Sequence, residues 1–449
     1  MKLVVVGGGI AGLTAARTAR KESAAAGLDV GITVVEAADR LGGKLWTERV
    51  DGAALEWGPD SFLASKPEAR ELARELGLEV VPVQPAAARA FLLLSGRLRP
   101  FPAGLAMGVP THVRALRDAV RSGIVGPGAA ARAWADRVLP AEPDGHMEPS
   151  VEEMARRRLG RTWADLVVAP LIRGVYGVSP GEVSFFHAYP DAVGERSLIS
   201  AMARRPRPTG PTFLSIRGGM GGLVEALAAD LDGVEIRTAC RAEALADESG
   251  RFAVTTEGGP VEADAVVLAV PAPAAGRLLG TVAPQASAEL AGIRYSSSAV
   301  VLLGYEPASI TRPLDGSGYL VAPEEDAVVA ACSWLPAKWA HAASADRVWL
   351  RTVVTDSRPL ELDDDALQDR VRAEVDRTME ASRPPADIRM LRWKHALPVF
   401  GLGHANRIAT IRRSLPAGVA LAGAYLEGFG VPDCIRTGRE AARAVLGRP

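Results

Sequence analysis

Three glycines spaced as Gly7-x-Gly9-x-x-Gly12, with a carboxylate at Glu36, carry the clearest chemical pattern in this 449-residue chain. In a turn from strand to helix, the first glycine permits the tight bend and the second lets backbone approach a pyrophosphate. The third lets helix and strand pack closely. The pyrophosphate rests on the helix N-terminus, where free N–H groups and the dipole favour anions. Glu36 stands 24 residues beyond Gly12, where a carboxylate accepts both hydroxyls of a ribose. The plain alternative is a glycine turn in some other α/β fold. An acid here disfavours a 2′-phosphate, which sets NADP aside and leaves FAD and NAD. The next segment, Asp39-Arg40-Leu41-Gly42-Gly43-Lys44, favours FAD. Its two glycines let backbone pass tightly under phosphates, and Arg40 and Lys44 supply cations beside them. An NAD domain would continue with strand–helix units, whereas Trp57-Gly58-Pro59-Asp60-Ser61 is irregular and suits the wall of a cofactor cavity.

The elements that must position these residues follow from hydrophobic patterning. Leu3-Val4-Val5-Val6 is a continuous apolar run of the kind that becomes a buried parallel strand. An Ala-rich helical stretch from about Gly12 to Ala26 follows, then Ile32-Thr33-Val34-Val35. Together they make one strand–helix–strand unit. Leu214 to Ala229 reads as strand, glycine turn (Gly218-Gly219-Met220-Gly221-Gly222) and helix. Strands are expected at Val234–Ile236, Phe252–Val254 and Ala265–Leu268, then at Ala299–Leu303 and Val348–Leu350. A charged amphipathic helix is expected near Asp363 to Ala381, and Val419–Ala422 is expected to lead into a final helix from about Asp433. Residues 84–211, rich in Arg with Pro and Gly interruptions, read as a helical insertion, and its Arg204-Arg205-Pro206-Arg207 run as a solvated loop.

Composition narrows the function classes. With 48% apolar and 23% charged residues the chain has ample core, and 52 basic against 53 acidic residues give no global attraction for nucleic acid. Cys240, Cys332 and Cys434 are far apart without a CxxC pair, which argues against a disulfide framework and points to reducing cytosol. The six histidines lack metal spacing, so no metal site is expected. No stretch suits a signal peptide or a membrane span of about 20 apolar residues.

Five stretches together resemble the flavin-containing amine oxidase superfamily and, within it, the porphyrinogen oxidases. They are Val4–Gly12 with Glu36–Lys44; Glu56–Leu63; Met107–Thr111; Arg392-Trp393 with Leu397-Pro398 and Gly403-His404; and Ala422–Ile435. Asp60 after the Gly58-Pro59 pair, with Lys66 beyond it, is similar to the bacterial coproporphyrinogen III oxidase branch, as is Cys332–Ala342. The chain departs from that pattern at Lys44, where many relatives have Arg, and at Tyr425, which replaces a small polar residue.

The resemblance implies an α/β fold: a Rossmann-like FAD-binding domain from residues 1–83, 212–290 and 385–449. The helical insertion 84–211 is a possible membrane-facing surface, and 291–384 form an inserted α+β substrate domain. It implies FAD contacts at Gly7, Gly8, Gly9, Ile10, Ala11, Gly12, Glu36, Ala37, Arg40, Gly42, Gly43 and Lys44. Further contacts are implied at Gly58, Pro59, Asp60, Ser61, Cys240, Trp393, Gly423, Ala424, Gly430 and Val431. A final helix opening near Pro432-Asp433 also aims N–H groups at the flavin carbonyls. A greasy chamber for a macrocycle edged by carboxylates needs cations at its rim. Lys66, Arg173, Lys338 and Lys394 are candidates, with Gly174 and Val175 on the wall. The implied reaction is oxidation of coproporphyrinogen III to coproporphyrin III in haem synthesis, with O2 as acceptor and H2O2 as product. Protoporphyrinogen IX oxidase, a generic amine oxidase and a non-catalytic carrier are the alternatives. No side-chain base is nominated. The same resemblance implies a cytoplasmic protein with peripheral membrane contact and transient contact with the next haem-pathway enzyme.

Overall fold

Strand Lys2–Val6 forms the centre of a parallel sheet, and its alternate side chains enter different cores. Leu3 and Val5 face one, Val4 and Val6 the other, which is why the run is apolar throughout. The computed structural model describes residues 1–139, 148–205, 210–248, 250–355 and 357–447. Pro206 and Arg207 of the basic run lie outside these.

The parallel sheet has five strands in the order Glu235–Arg237, Gly31–Val35, Lys2–Val6, Ala265–Leu268 and Val419–Leu421. Helices Ile10–Ala25, Gly221–Ala229 and Val431–Val445 cover one face. The other face carries helices Ala272–Leu278, Pro284–Ala291 and His404–Arg413 with a small antiparallel sheet, Ala242–Asp247, Phe252–Thr256 and Gly259–Ala263. The first and last helices meet closely: a Cβ on Gly438 would lie 2.3 Å from the Ala11 carbonyl oxygen.

The second body is a seven-stranded sheet in the order Asp387–Pro398, Tyr295–Tyr305, Val348–Val354, Ala331–Trp334, Gly318–Val321, Phe91–Leu94 and Arg97–Pro100. Here the structure redraws the expected boundaries. Phe91–Leu94 and Arg97–Pro100 had been placed in the helical insertion, and Asp387–Pro398 in the FAD-binding segment. All three join this sheet because strand membership is decided by a distant partner rather than by local period. Helix Asp364–Thr378 packs on one face, and Trp57, Leu335, Trp339 and Trp349 fill the other.

Helices Val113–Arg121, Pro127–Trp134, Val151–Leu159, Ala169–Tyr176 and Leu198–Arg204 form a third body, whose core also takes in Leu92, Leu94 and Phe400. Ser150 and Glu153 cap one another's backbone at the start of Val151–Leu159. No helix among the described residues is long and apolar enough to cross a membrane.

An ion pair fixes the interior of this helical body. Fully buried Asp136 accepts from Arg158 Nε at 2.6 Å, Ser197 Oγ at 2.7 Å and the Ile199 N–H at 2.9 Å. Asp136→Ala strips a buried guanidinium of its carboxylate and should cost about 3–5 kcal/mol in urea unfolding. A loss below about 1 kcal/mol would show that the pair contributes little.

Candidate active site

Strand Lys2–Val6 ends at Gly7, whose φ of +109° only glycine adopts without strain. The Gly7 N–H donates to the Val35 carbonyl at 2.8 Å. A Cβ on Gly12 would fall 1.9 Å from the Gly7 carbonyl oxygen, so that glycine is required for helix and turn to close. Gly9 differs: a Cβ there would meet nothing within 4 Å. It caps the first helix ahead of Ile10 and Ala11 without a side-chain hydrogen bond. Glu36, at the end of the second strand, accepts from the Gly8 N–H at 2.6 Å and the Ala38 N–H at 2.8 Å. Ala37 is exposed beside it, and the Cys240 N–H donates to the Glu36 carbonyl at 2.9 Å.

The second glycine turn lies directly on the first. The Gly42 N–H donates to the Gly8 carbonyl at 2.8 Å, and a Cβ on Gly43 would stand 3.4 Å from the Gly9 Cα. Val224 presses on Gly42 from the helix Gly221–Ala229. Arg40, expected beside phosphates, spends donors on the Leu41 and Gly43 carbonyls at 3.2 and 2.7 Å and covers the Trp46 ring. It braces the turn. Lys44 points inward, its ammonium 6.0 Å from the Tyr295 ring centre. Burial pushes its pKa down, and it makes no ion pair among the described residues.

The irregular segment after Glu56 is held by partners from the second body. Gly58 runs against the Lys44 carbonyl, 1.8 Å from where its Cβ would sit. Arg351 donates to the carbonyls of Glu56 and Gly58, both at 2.9 Å. Pro59, which follows, is exposed. Asp60 accepts from Lys338 Nζ at 2.6 Å, Trp339 Nε1 at 3.1 Å and Ser61 Oγ at 2.8 Å. Burial favours its neutral form, but Lys338 and Arg351 override this and hold the carboxyl well below its usual range. The side chain expected at the cofactor and the one expected at the rim thus form an ion pair joining two bodies. Trp393 donates from Nε1 to the Trp57 carbonyl at 2.8 Å.

At the C-terminal end, Gly423 has a φ of +132° and donates its N–H to Thr437 Oγ1 at 3.0 Å, with Ala424 beside it. Gly430 caps the final helix, which begins at Val431, one residue earlier than expected. Asp433, in its first turn, accepts from Lys66 Nζ at 2.6 and 2.7 Å. Two of the three donors of Lys66 are therefore committed. On helix Ala169–Tyr176, Gly174 and Val175 are exposed, whereas Arg173 lines a groove of about 420 Å³ with Glu152, Asp165 and Glu324. Successive helix positions differ by about 100°, so Arg173 faces differently from Val175. Lys394 is exposed on its strand.

Sequence reading missed Asp433, Arg351 and Glu56 as organising groups. Glu56, 2% exposed, accepts from the Met220 N–H at 2.6 Å and from Thr47 Oγ1 at 2.9 Å. An acid at the end of the apolar run Ala53-Ala54-Leu55 was the available signal.

These residues fit a flavin dinucleotide. Open space before Gly9 and an inward lysine without an acid suit a pyrophosphate, and the Glu36 oxygens retain lone pairs for ribose hydroxyls.

Known proteins agree with that geometry. A family model described as flavin containing amine oxidoreductase matches residues 10–446. Coproporphyrinogen III oxidase of Bacillus subtilis is 31% identical over 464 residues, covering 99% of this chain and 97% of its own. The protein of the same name from Mycobacterium bovis is 33% identical, with 98% and 96% covered. A solved structure from Exiguobacterium sp. 255-15 has a TM-score of 0.87 at 31% identity, over 99% of this chain and 98% of that one.

Two predictions follow from the site's geometry. Gly9→Val fits the empty turn but fills the space a pyrophosphate would occupy. The variant should melt like cofactor-stripped wild type while retaining under a tenth of the flavin, measured by absorbance after denaturation; normal flavin occupancy would refute the placement. Burial pushes the Glu56 carboxyl from its ordinary 4.5 up to about 7. An acid whose pKa rises on folding contributes stability that is whole below about 4.5 and lost as pH climbs through 7. Glu56→Gln should remove this fall, on the order of 3 kcal/mol between about pH 5 and 8. Urea unfolding across that range checks it, and identical slopes in both proteins would exclude Glu56.

Proposed function

Because the chain belongs to the flavin-containing amine oxidoreductase family and is built to hold FAD, we propose that it oxidises coproporphyrinogen III to coproporphyrin III. The observation that carries the substrate is the near-full-length likeness to proteins named coproporphyrinogen III oxidase. O2 as terminal acceptor and H2O2 as product belong to the same proposal.

When bound, FAD would supply the two-electron acceptor that removal of six electrons from the macrocycle requires. The chain's own residues bind and orient. Gly7, Gly8, Gly9, Ile10, Ala11 and Gly12 present backbone to the pyrophosphate, Glu36 takes the ribose, and Lys44 provides the inward cation. Gly58, Pro59, Gly423, Ala424, Gly430, Val431 and Trp393 border the flavin. Arg40, Asp60 and Cys240 act by fixing these segments, through the contacts described above. Gly174 and Val175 offer an apolar wall, with Val175 39% exposed. Lys66, its side chain 41% exposed, keeps a third donor that would serve a substrate carboxylate.

Protons from the ring nitrogens pass to water or move around the macrocycle, so no side-chain base is assigned. His187, stacked on Phe400 with ring centres 3.8 Å apart, senses the Lys66 charge. Burial, with His404 and Lys66, pushes it down to about 4, so it stays uncharged at neutral pH.

The test is turnover of coproporphyrinogen III and protoporphyrinogen IX by the purified yellow protein in air. The tetracarboxylate should be oxidised at least tenfold more efficiently, read as kcat/KM from porphyrin fluorescence. A clear preference for the dicarboxylate would replace the proposed substrate, and a colourless protein unchanged by dithionite would favour the carrier reading.

A further inference from the structure

Lys66 and Asp433 stand 367 residues apart in the chain, yet the ammonium donates to both carboxylate oxygens, at 2.6 and 2.7 Å. The Asp433 side chain is only 8% exposed. Cβ atoms on Gly428 and Gly430 would lie 2.7 and 2.8 Å from it, so the loop before the final helix is wrapped around this carboxylate. Arg436 comes within 3.8 Å of Asp433 but makes closer pairs with Glu427 at 2.8 Å and Glu440 at 3.0 Å. The remaining groups that sense the pair are uncharged at neutral pH. Burial, then Asp433, pushes the Tyr176 phenol up to about 12, and burial, then Asp433, pushes the Cys434 thiol up to about 12. His187 is held neutral as described. Lys66 and Asp433 thus make the closest ion pair at this loop, with Lys44 and Arg436 as further cations acting on Cys434 beside it.

We propose that Lys66 and Asp433 form a positioning pair that sets the loop Gly428–Val431 and keeps the charge beside the flavin balanced, so that each partner tunes the flavin's reduction potential in the opposite sense. This rests on the reading that the loop borders FAD. Two features carry it: the wrapping leaves no room for a Cβ at Gly428 or Gly430, and the pair bridges the segment after Ser61 to the final helix. An ammonium left alone favours electron arrival, and a carboxylate left alone opposes it, with strength set by low local dielectric. The same lysine keeps one donor for a substrate carboxylate, which places substrate recognition and flavin electrostatics on one side chain.

The experiment measures flavin content and midpoint potential in Lys66→Met, Asp433→Asn, the double variant and Lys66→Arg. Asp433→Asn should shift the potential positive, Lys66→Met should shift it negative, and the double variant should return towards wild type. Lys66→Arg keeps the pair and should keep both content and potential. Shifts of the same sign, or none in flavin-replete singles, would overturn the proposal. If a single variant loses flavin, Lys66→Arg decides: retention at the wild-type potential supports the pair, and loss refutes it. A wild-type protein that binds no FAD would instead overturn the functional reading, and this inference with it.

Discussion

The site exists because the first and last helices touch backbone to backbone. Gly438 lies so close to Ala11 that any side chain would strike its carbonyl. This contact carries consequences along the final helix. One residue earlier, Thr437 takes the Gly423 N–H at 3.0 Å and donates to the Cys434 carbonyl at 3.1 Å. The turn after strand Val419–Leu421 is thereby tied to a helix that is itself pressed on the phosphate turn. Strands Lys2–Val6, Ala265–Leu268 and Val419–Leu421 run parallel, so their carboxyl ends open on one crevice. Ligands of open parallel sheets bind at such an edge. A single backbone approach therefore brings residues from both ends of the chain to one edge of the sheet.

Joining the lobes poses a different problem. The segment Trp57–Ser61 has no regular structure, so its buried carbonyls need donors from elsewhere. Arg351, on a strand of the seven-stranded sheet, donates to the carbonyl of Gly58 and to that of Glu56 just before the segment. Burial pushes the arginine's pKa down, and the nearby Asp60 and Glu56 carboxyls oppose that. Asp60 is in turn satisfied by Lys338 and Trp339. A network of this kind rigidifies when every member is paired and destabilises when one is not. It holds an irregular loop in one conformation where apolar packing alone would leave carbonyls unpaired.

What could be read from sequence divides along the same physical line. The strand–turn–helix–strand unit, the acid at Glu36 and the final strand–helix turn were legible because each is a local pattern: alternation, glycine spacing, a helix start. Phe91–Leu94 and Asp387–Pro398 were misplaced because a strand's sheet is chosen by a partner far along the chain. The same limit applied to charges. Arg40, Lys66 and Lys338 looked like free cations, yet their partners are the carbonyls of Leu41 and Gly43, Asp433, and Asp60. Residue type announces charge, but only the fold says what neutralises it. Glu56 was overlooked for the converse reason, since an acid beside an apolar strand is ordinarily solvated.

This pairing bears on how a polyanionic macrocycle would be recognised. A chamber lined with unpaired cations would hold any anion and would carry the cost of their mutual repulsion while empty. Here Lys44 makes no ion pair among the described residues, Lys338 is paired with Asp60 at the lobe joint, and Lys66 is anchored by Asp433. An anchored ammonium loses little further freedom on binding. Selectivity then depends on whether a carboxylate arrives at the correct point while the ring lies against the apolar wall. Such an arrangement would favour a rigid, regularly substituted tetrapyrrole over smaller anions, because Lys66 and Lys338 are each organised by an acid of the protein itself.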